Sequence, residues 1–198
     1  MFALDLGDGL ALQLYERRHA GELFALIDRN RAQLDRWFPW PERTRAPEDL
    51  HAFIDESLAR FARRDGFEGG LRADGRLIGG LGVHHVDREV GSGEIGYWLA
   101  QAAQGRGWMT RAVAGLIRHL VEDEGFERIE VRCHPDNLRS RAIPERLGFR
   151  EEGTLRRIGL LHGRPFDHVV YGLLAEEWRA ARERARPLAG ADAGTEEA

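Results

Sequence analysis

The chain has 198 residues, 42% of them apolar and 31% charged, with a formal charge of −4. That suits one sizeable core in a globular domain and argues against a dedicated nucleic-acid binder or a low-complexity chain. Cys133 is the only cysteine, so no intramolecular disulfide can form and a reducing compartment is expected. No signal-peptide pattern and no apolar run of about 18 residues is present, so a cytoplasmic chain with no membrane attachment is expected.

In chain order, Leu10 to Tyr15 alternates apolar and polar residues and predicts a strand. From about His19 to Gln33, Leu23, Leu26, Ile27 and Leu34 fall at amphipathic-helix spacing. Trp37-Phe38-Pro39-Trp40-Pro41 follows, where prolines block regular structure and three aromatics crowd together. Such a loop is either a hydrophobic plug or the wall of a pocket. Pro47 with Glu48 and Asp49 marks the start of a second helix, whose stripe is Leu50, Phe53, Ile54, Leu58 and Phe61. Phe67 to Ala73 and Arg76 to His85 predict two strands joined at Asp74-Gly75. Gly79, Gly80 and Gly82 in the second suggest close backbone approach or a bulge. Asp87 to Gly93 is polar and turn-like.

Glu94 to Ala114 organises the rest. Ile95-Gly96-Tyr97-Trp98-Leu99 predicts a strand, Gln101 to Gly107 a loop, and Met109 onward a helix with Ala112, Val113, Leu116, Ile117 and Leu120 on one face. A helix start after a glycine-bearing loop offers free N–H groups and the positive end of the helix dipole to an anion, and Gly105 and Gly107 allow a close approach. The plainer alternative is a tight turn with no ligand, since Gly-x-Gly is a weak signal. It is not a P-loop, because no Gly-Lys-Ser/Thr follows, and it lacks the third glycine of a dinucleotide fingerprint.

Beyond this helix, Arg128 to Cys133 predicts a strand and His134-Pro135-Asp136-Asn137 a break. Leu138 to Leu147 predicts a short helix capped by Gly148, kinked or shortened by Pro144. Arg150 to Ile158 and Phe166 to Leu174 predict a closing strand pair, with Gly163-Arg164-Pro165 between them. Glu176 to Arg186 has helical propensity. The expectation is one domain over residues 1–182 and a disordered acidic tail over 183–198. No internal repeat is visible, and the element order is mixed α/β with both parallel and antiparallel pairing.

Gly-Tyr-Trp-Leu, Gln-Gly-x-Gly and Met-Thr-x-Ala around residues 96 to 112 resemble the acetyl-CoA motif of the GNAT N-acetyltransferases, with the RimJ/RimL branch most similar. Asn137, Ser140, Ala142, Gly148 and Phe149 match the superfamily's second motif, so the resemblance covers roughly residues 8 to 178. The first position of the consensus Gln/Arg-x-x-Gly-x-Gly/Ala is Ala102 here, with Gln101 and Gln104 beside it.

The resemblance implies the GNAT acyl-CoA N-acyltransferase fold and direct transfer of acetyl from acetyl-CoA to a primary amine, with no metal. Trp98, Leu99 and Ala100 would offer backbone groups to the pantetheine arm, and a backbone N–H near Trp98 or Leu99 would hold the oxyanion. Gln104, Gly105, Arg106, Gly107, Trp108, Met109 and Thr110 would cradle the pyrophosphate. Asn137 would reach the cofactor, or cap the following helix. Glu94 stands in the register of a GNAT catalytic glutamate and is the candidate base, or a solvated strand-end carboxylate; His84, His85 and Asp87 are alternatives. The glutamate assigned as base in RimL-like enzymes falls at Gly159, and the usual GNAT tyrosine acid falls at Pro144. Ser140 matches the RimL-like serine and is the candidate partner of the leaving sulfur. Trp37, Phe38, Trp40 and His84 are the candidate acceptor-binding residues.

His84-His85 and Cys133-His134 lack metal-ligand spacing. All 29 basic residues are arginine, which nucleotide composition or a hot habitat would explain and which leaves no lysine for the chain to acetylate on itself. Three functions stay open: a protein N-terminal acetyltransferase, an acetyltransferase of small amines, and a non-catalytic acyl-CoA-binding protein. A homodimer is implied by the resemblance alone.

Overall fold

The computed structural model describes residues 3–7 and 9–185. Eight strands form one sheet in the order β1-β2-β3-β4-β5-β6-β8-β7. They are β1 (Ala3–Gly7), β2 (Leu10–Leu14), β3 (Phe67–Ala73), β4 (Arg76–Asp87), β5 (Ser92–Leu99), β6 (Arg128–Cys133), β7 (Arg150–Leu161) and β8 (Arg164–Leu174). The helices are α1 (Ala20–Arg29), α2 (Arg31–Leu34), α3 (His51–Ala62), α4 (Trp108–Glu122), α5 (Leu138–Arg146) and α6 (Ala175–Ala185). Residues 183–185 thus continue a helix where a tail was expected, and the remainder of that tail lies outside the described residues.

Each strand's alternation assigns its faces. Leu81 and Val83 of β4, Ile95 of β5, Ile129 and Val131 of β6, and Val169, Tyr171 and Leu173 of β8 meet the α4 stripe of Ala112, Val113, Leu116, Ile117 and Leu120 in the main core. Leu23, Ile27, Leu50, Ile54 and Tyr15 form a second cluster with α1 and α3 on the opposite face. The glycines of β4 mark close approach, as read: a Cβ on Gly80 would meet the Trp98 indole, and one on Gly79 the Trp98 carbonyl.

Two boundaries differ from expectation for clear reasons. β1 is an exposed edge strand with only Leu4 and Leu6 packed on the core, too weak a pattern to read. The closing hairpin is longer than read, because His162 and Gly163, at φ 50° and 73°, make a tight two-residue turn and leave Arg164 and Pro165 in β8.

All neighbours pair antiparallel except β5 and β6. These run parallel and pair only at Ser92–Arg128, Gly93–Ile129 and Glu94–Glu130. Beyond that seam both strands continue without each other, β5 to Leu99 and β6 to Cys133. The sheet therefore opens into a V whose closed end is Glu94.

Candidate active site

One arm of the V runs into the anion loop. Gly105 and Gly107 take φ of 79° and 73°, and a Cβ on either would meet nothing within 4 Å, so the loop is open above the first turn of α4. Gly107 is the N-cap of α4, and the cap supplies no side-chain hydrogen bond to the first-turn amides. Trp108 begins the helix and Met109 is buried in the core, which leaves the methionine only its backbone to offer. Arg106 stacks over Trp108 at 5.0 Å, and Thr110 is half-buried in the first turn. Gln104 ties the loop to both arms: its Nε2 donates to the Leu99 carbonyl (3.2 Å) and its Oε1 accepts from Arg139 (2.7 Å). A groove of about 920 Å3, lined by Arg29, Arg76, Arg106 and Trp108 among others, adjoins this loop where it faces α1 and the β3–β4 hairpin.

On β5, Ala100 N–H donates to the Ile78 carbonyl at 2.9 Å. Strand alternation then directs the Leu99 N–H away from β4 into the V, and the Trp98 N–H toward β4. Of Trp98, Leu99 and Ala100, Leu99 is the residue whose amide faces the cleft.

The α4 side of the V holds Ser140. Its hydroxyl is 3.2 Å from Cys133 Sγ, and Asn137 caps α5 by accepting from Ser140 N–H at 3.2 Å. Pro144 lies in α5 and has no N–H for the carbonyl four residues back, which is that of Ser140. Tyr97 fills the vacancy: its hydroxyl donates to the Ser140 carbonyl at 2.9 Å. Burial pushes the Tyr97 phenol far up, so it stays a neutral donor. The helix runs past Pro144 to Arg146, with Leu147 as its C-cap, so the proline costs it a hydrogen bond and does not end it.

The opposite side of the sheet carries the charges. Glu94 is 3.0 Å from His85 Nδ1 and 3.3 Å from Arg132 Nε. Burial raises its pKa, opposed by Arg132 and His85. Arg132 also holds Glu130 at 2.6 Å. Next along the sheet, Glu68 Oε1 lies 3.1 Å from His84 Nε2 and 3.8 Å from Arg60. Gly82 and Gly96 leave room for this pair, since a Cβ on the first would strike the Glu68 carboxylate and on the second the His84 ring. Arg60 also approaches His84 Nδ1 at 3.5 Å, so both ring nitrogens of His84 face protein groups. Burial lifts Glu68 to about 7 and lowers His84 to about 4.

A roof completes the cleft. Trp37 lies 5.4 Å from the His134 ring, His134 6.0 Å from Phe166, and Phe166 5.0 Å from His168. Phe38 and Trp40 turn the other way, toward Trp98 and the second core cluster, so one half of the aromatic loop is plug and the other half wall. At the hairpin tip, His162 contacts Glu42 at 2.9 Å and the Asp35 carbonyl at 2.8 Å. Gly159 lies under Phe166, where a Cβ would meet the ring at 2.6 Å. Arg60, Glu68, Arg132, Phe166, His168 and Tyr97's role are absent from the sequence reading. Strand parity, counted outward from Glu94, is the signal that would have placed Glu68, Arg132, Phe166 and His168 on one face of the sheet and Tyr97 on the other. Among the described residues no cluster of three or more His, Cys, Asp or Glu could hold a metal, and no helix is long and apolar enough to cross a membrane.

A parallel seam that opens beside a glycine loop and a helix start is the arrangement expected of an acyl-CoA acyltransferase, and the family comparison identifies it as one. Residues 10–150 match the model of the acetyltransferase (GNAT) domain, and the chain belongs to that family. It is therefore an acetyl-CoA-dependent N-acetyltransferase with the GNAT fold, of the RimJ/RimL type. It is 32% identical over 183 residues to a Bacillus subtilis protein named "Putative ribosomal N-acetyltransferase YdaF", covering 92% of this chain and 100% of that one. It is 25% identical to the ribosomal-protein-serine acetyltransferase of Escherichia coli, covering 87% and 97%. Among solved structures, RimJ of Mycobacterium smegmatis in complex with CoA-disulfide superimposes with a TM-score of 0.81 at 28% identity, covering 89% and 88%.

Proposed function

We propose that the chain acetylates the N-terminal amine of a protein, with ribosomal proteins as the substrate class. The observation that carries this is the V itself, which has the glycine loop on one arm and Glu94 at its closed end, under a roof of Trp37, His134 and Phe166. The relatives named for ribosomal-protein acetylation support the substrate class.

In this reading the amides of residues 104–110 hold the pyrophosphate, and the Leu99 N–H stabilises the oxyanion as the amine adds to the thioester. Glu94, at the closed end of the V, takes the first proton of the ammonium through bridging water. The Ser140 hydroxyl, kept in place by Asn137 and Tyr97, hydrogen-bonds to the leaving sulfur. Glu94→Gln and Ser140→Ala are each expected to slow turnover while acetyl-CoA still binds; wild-type turnover in both would remove these roles. The acceptor is tested with a panel of peptides with free N-termini beside polyamines, amino acids and an aminoglycoside. Turnover on peptides alone supports the reading, and turnover on small amines alone overturns it. Pairing of two copies, implied by the family, would fall on the sheet edge β7, where Leu155, Ile158 and Leu160 are exposed, and sedimentation would detect it.

A further inference from the structure

The overall reaction fixes how many protons must move. An ammonium R–NH3+ and acetyl-S-CoA become R–NH–CO–CH3, HS-CoA and one free proton. The nitrogen therefore loses two protons: one before it can attack, and a second once the C–N bond has formed. The second can return to the sulfur as the C–S bond breaks. Glu94 accounts for the first. The second needs an acceptor beside the thioester, not at the closed end of the V.

Sheet register locates that level. Glu94 pairs with Glu130, so Trp98 and Leu99, four and five residues on, correspond in count to His134 and Pro135 across the opening V. At about 3.3 Å per residue they lie roughly 13 to 17 Å from Glu94 along the strand. Across β6, Cys133 pairs with Val169, and His168 is the next residue of β8. Val169 points into the main core, so His168 shares the opposite face with Glu94 and Arg132. Counted from the same pairs, it stands level with His134 and Trp98, one residue short of the Leu99 amide.

His168 is also free to act. It is half-buried, and among the described residues neither ring nitrogen has a hydrogen-bond partner, whereas His84, His85, His134 and His162 are all engaged. Phe166 packs at 5.0 Å and holds the ring, and Gly159, the residue facing Phe166 on β7, brings no side chain into the space. The charged and titratable groups that bear on it are Arg132 on β6 and His134 in the following turn. Leu155 opposes it on β7 and Phe166 flanks it on its own strand. Burial first, then Arg132 and His134, lower its pKa, which keeps the imidazole neutral near pH 7 with a lone pair available.

We infer that His168 is a second catalytic residue, which takes the proton from the newly bonded nitrogen and passes it to the leaving thiolate. This rests on the acetyl-transfer reading above. In forward order, water near Glu94 removes the first proton and the amine adds to the carbonyl carbon. The imidazole then accepts the second proton. As the C–S bond breaks, the imidazolium returns that proton to sulfur, and the hydroxyl of Ser140 supports the thiolate meanwhile. The imidazole ends as it began.

The test uses steady-state turnover of acetyl-CoA with a peptide bearing a free N-terminal amine, for the full chain and its His168→Ala and His168→Gln variants. Acetyl-CoA affinity and melting temperature are measured in parallel. Both variants are expected to lose about 100-fold in kcat with acetyl-CoA affinity and melting temperature unchanged, the usual size of a general acid–base contribution. Added imidazole should restore turnover to the alanine variant, which has the vacant space, and not to the glutamine variant. Wild-type kcat in both variants overturns the assignment while leaving the transfer reading intact. So does a loss confined to peptide KM with no imidazole rescue, which would make His168 part of the cleft wall. If the wild-type chain turns over no amine at all, the transfer reading falls and this one with it.

Discussion

Removing the Tyr97 hydroxyl tests the account of α5 most sharply. Tyr97→Phe keeps the ring but withdraws the hydroxyl that donates to the Ser140 carbonyl, at the position where Pro144 supplies no N–H. A part-buried carbonyl left without a partner costs about 1–3 kcal/mol. For a domain of this size each kcal/mol shifts the melting temperature by roughly 2–4 °C, so a loss of about 2 kcal/mol predicts a fall of roughly 4–8 °C. The discriminating measurement is a double-mutant cycle with Pro144→Ala. An alanine there carries an N–H that reaches back to the Ser140 carbonyl and restores the helical bond. In that background Tyr97→Phe should cost at least about 1 kcal/mol less than in the wild type, read from denaturant midpoints at constant m. If the two substitutions add to within about 0.5 kcal/mol, the proline vacancy is not what Tyr97 fills, and the reasoning fails. Turnover should fall along with stability in Tyr97→Phe, because Ser140 loses its anchor.

Other outcomes follow from the same geometry. Gly105→Asp should abolish acetyl-CoA binding in a titration, with only the backbone cost of a side chain at φ 79° showing in stability. Aspartate tolerates the left-handed backbone and a Cβ there meets nothing; unchanged affinity would mean that the loop is only a turn. Glu68 and His84 should set opposite slopes of stability with pH. The folded pKa of Glu68, about 7, lies above its ordinary 4.5, so its contribution is full below 4.5 and is lost as pH rises through 7. That of His84, about 4, lies below its ordinary 6.5, so its contribution is full above 6.5 and is lost as pH falls through 4. Between 4.5 and 6.5 the two oppose, and Glu68→Gln should leave stability rising with pH across that window; a fall in the variant would contradict the placement. The His162 contacts with Glu42 and Asp35 raise that imidazole's pKa, so they are strongest below about 6.5 and weaken as pH rises through the folded value. Alkaline pH should therefore loosen the hairpin tip, seen as exchange of the His162 and Gly163 amides that accelerates beyond the intrinsic base-catalysed rise, and His162→Gln should remove that excess.

The sequence made the organising strand, loop and helix legible because they are contiguous: apolar strand, paired glycines and a 3.6-residue stripe sit within 21 residues. Likewise, the glycines of β4 announced close approach before any partner was known. What stayed hidden was cross-strand. Glu68, Arg132 and His168 gain meaning only through register between strands that lie 26 or more residues from Glu94, and nothing local in FDHVV distinguishes a cleft histidine from a solvated one. Tyr97 was read as a strand aromatic, and its hydroxyl matters only because a proline stands 47 residues later. Asn137 shows the opposite case, a motif residue whose visible work is to cap α5.

The short seam between β5 and β6 also divides the chain. Everything before it, β1 to β5 with α1 to α4, belongs to one stretch of sequence, and everything after it, β6 to β8 with α5 and α6, to another. The backbone crosses between them once, through residues 123–127. A chain cut there would give two pieces that meet along three residue pairs of strand and the α4 face, with the donor's binding loop on one and Ser140 and His168 on the other. The cut enzyme would then be a two-part reporter, inactive as separate pieces and active on reassembly, with acetyl-CoA favouring the joined form because it must touch both.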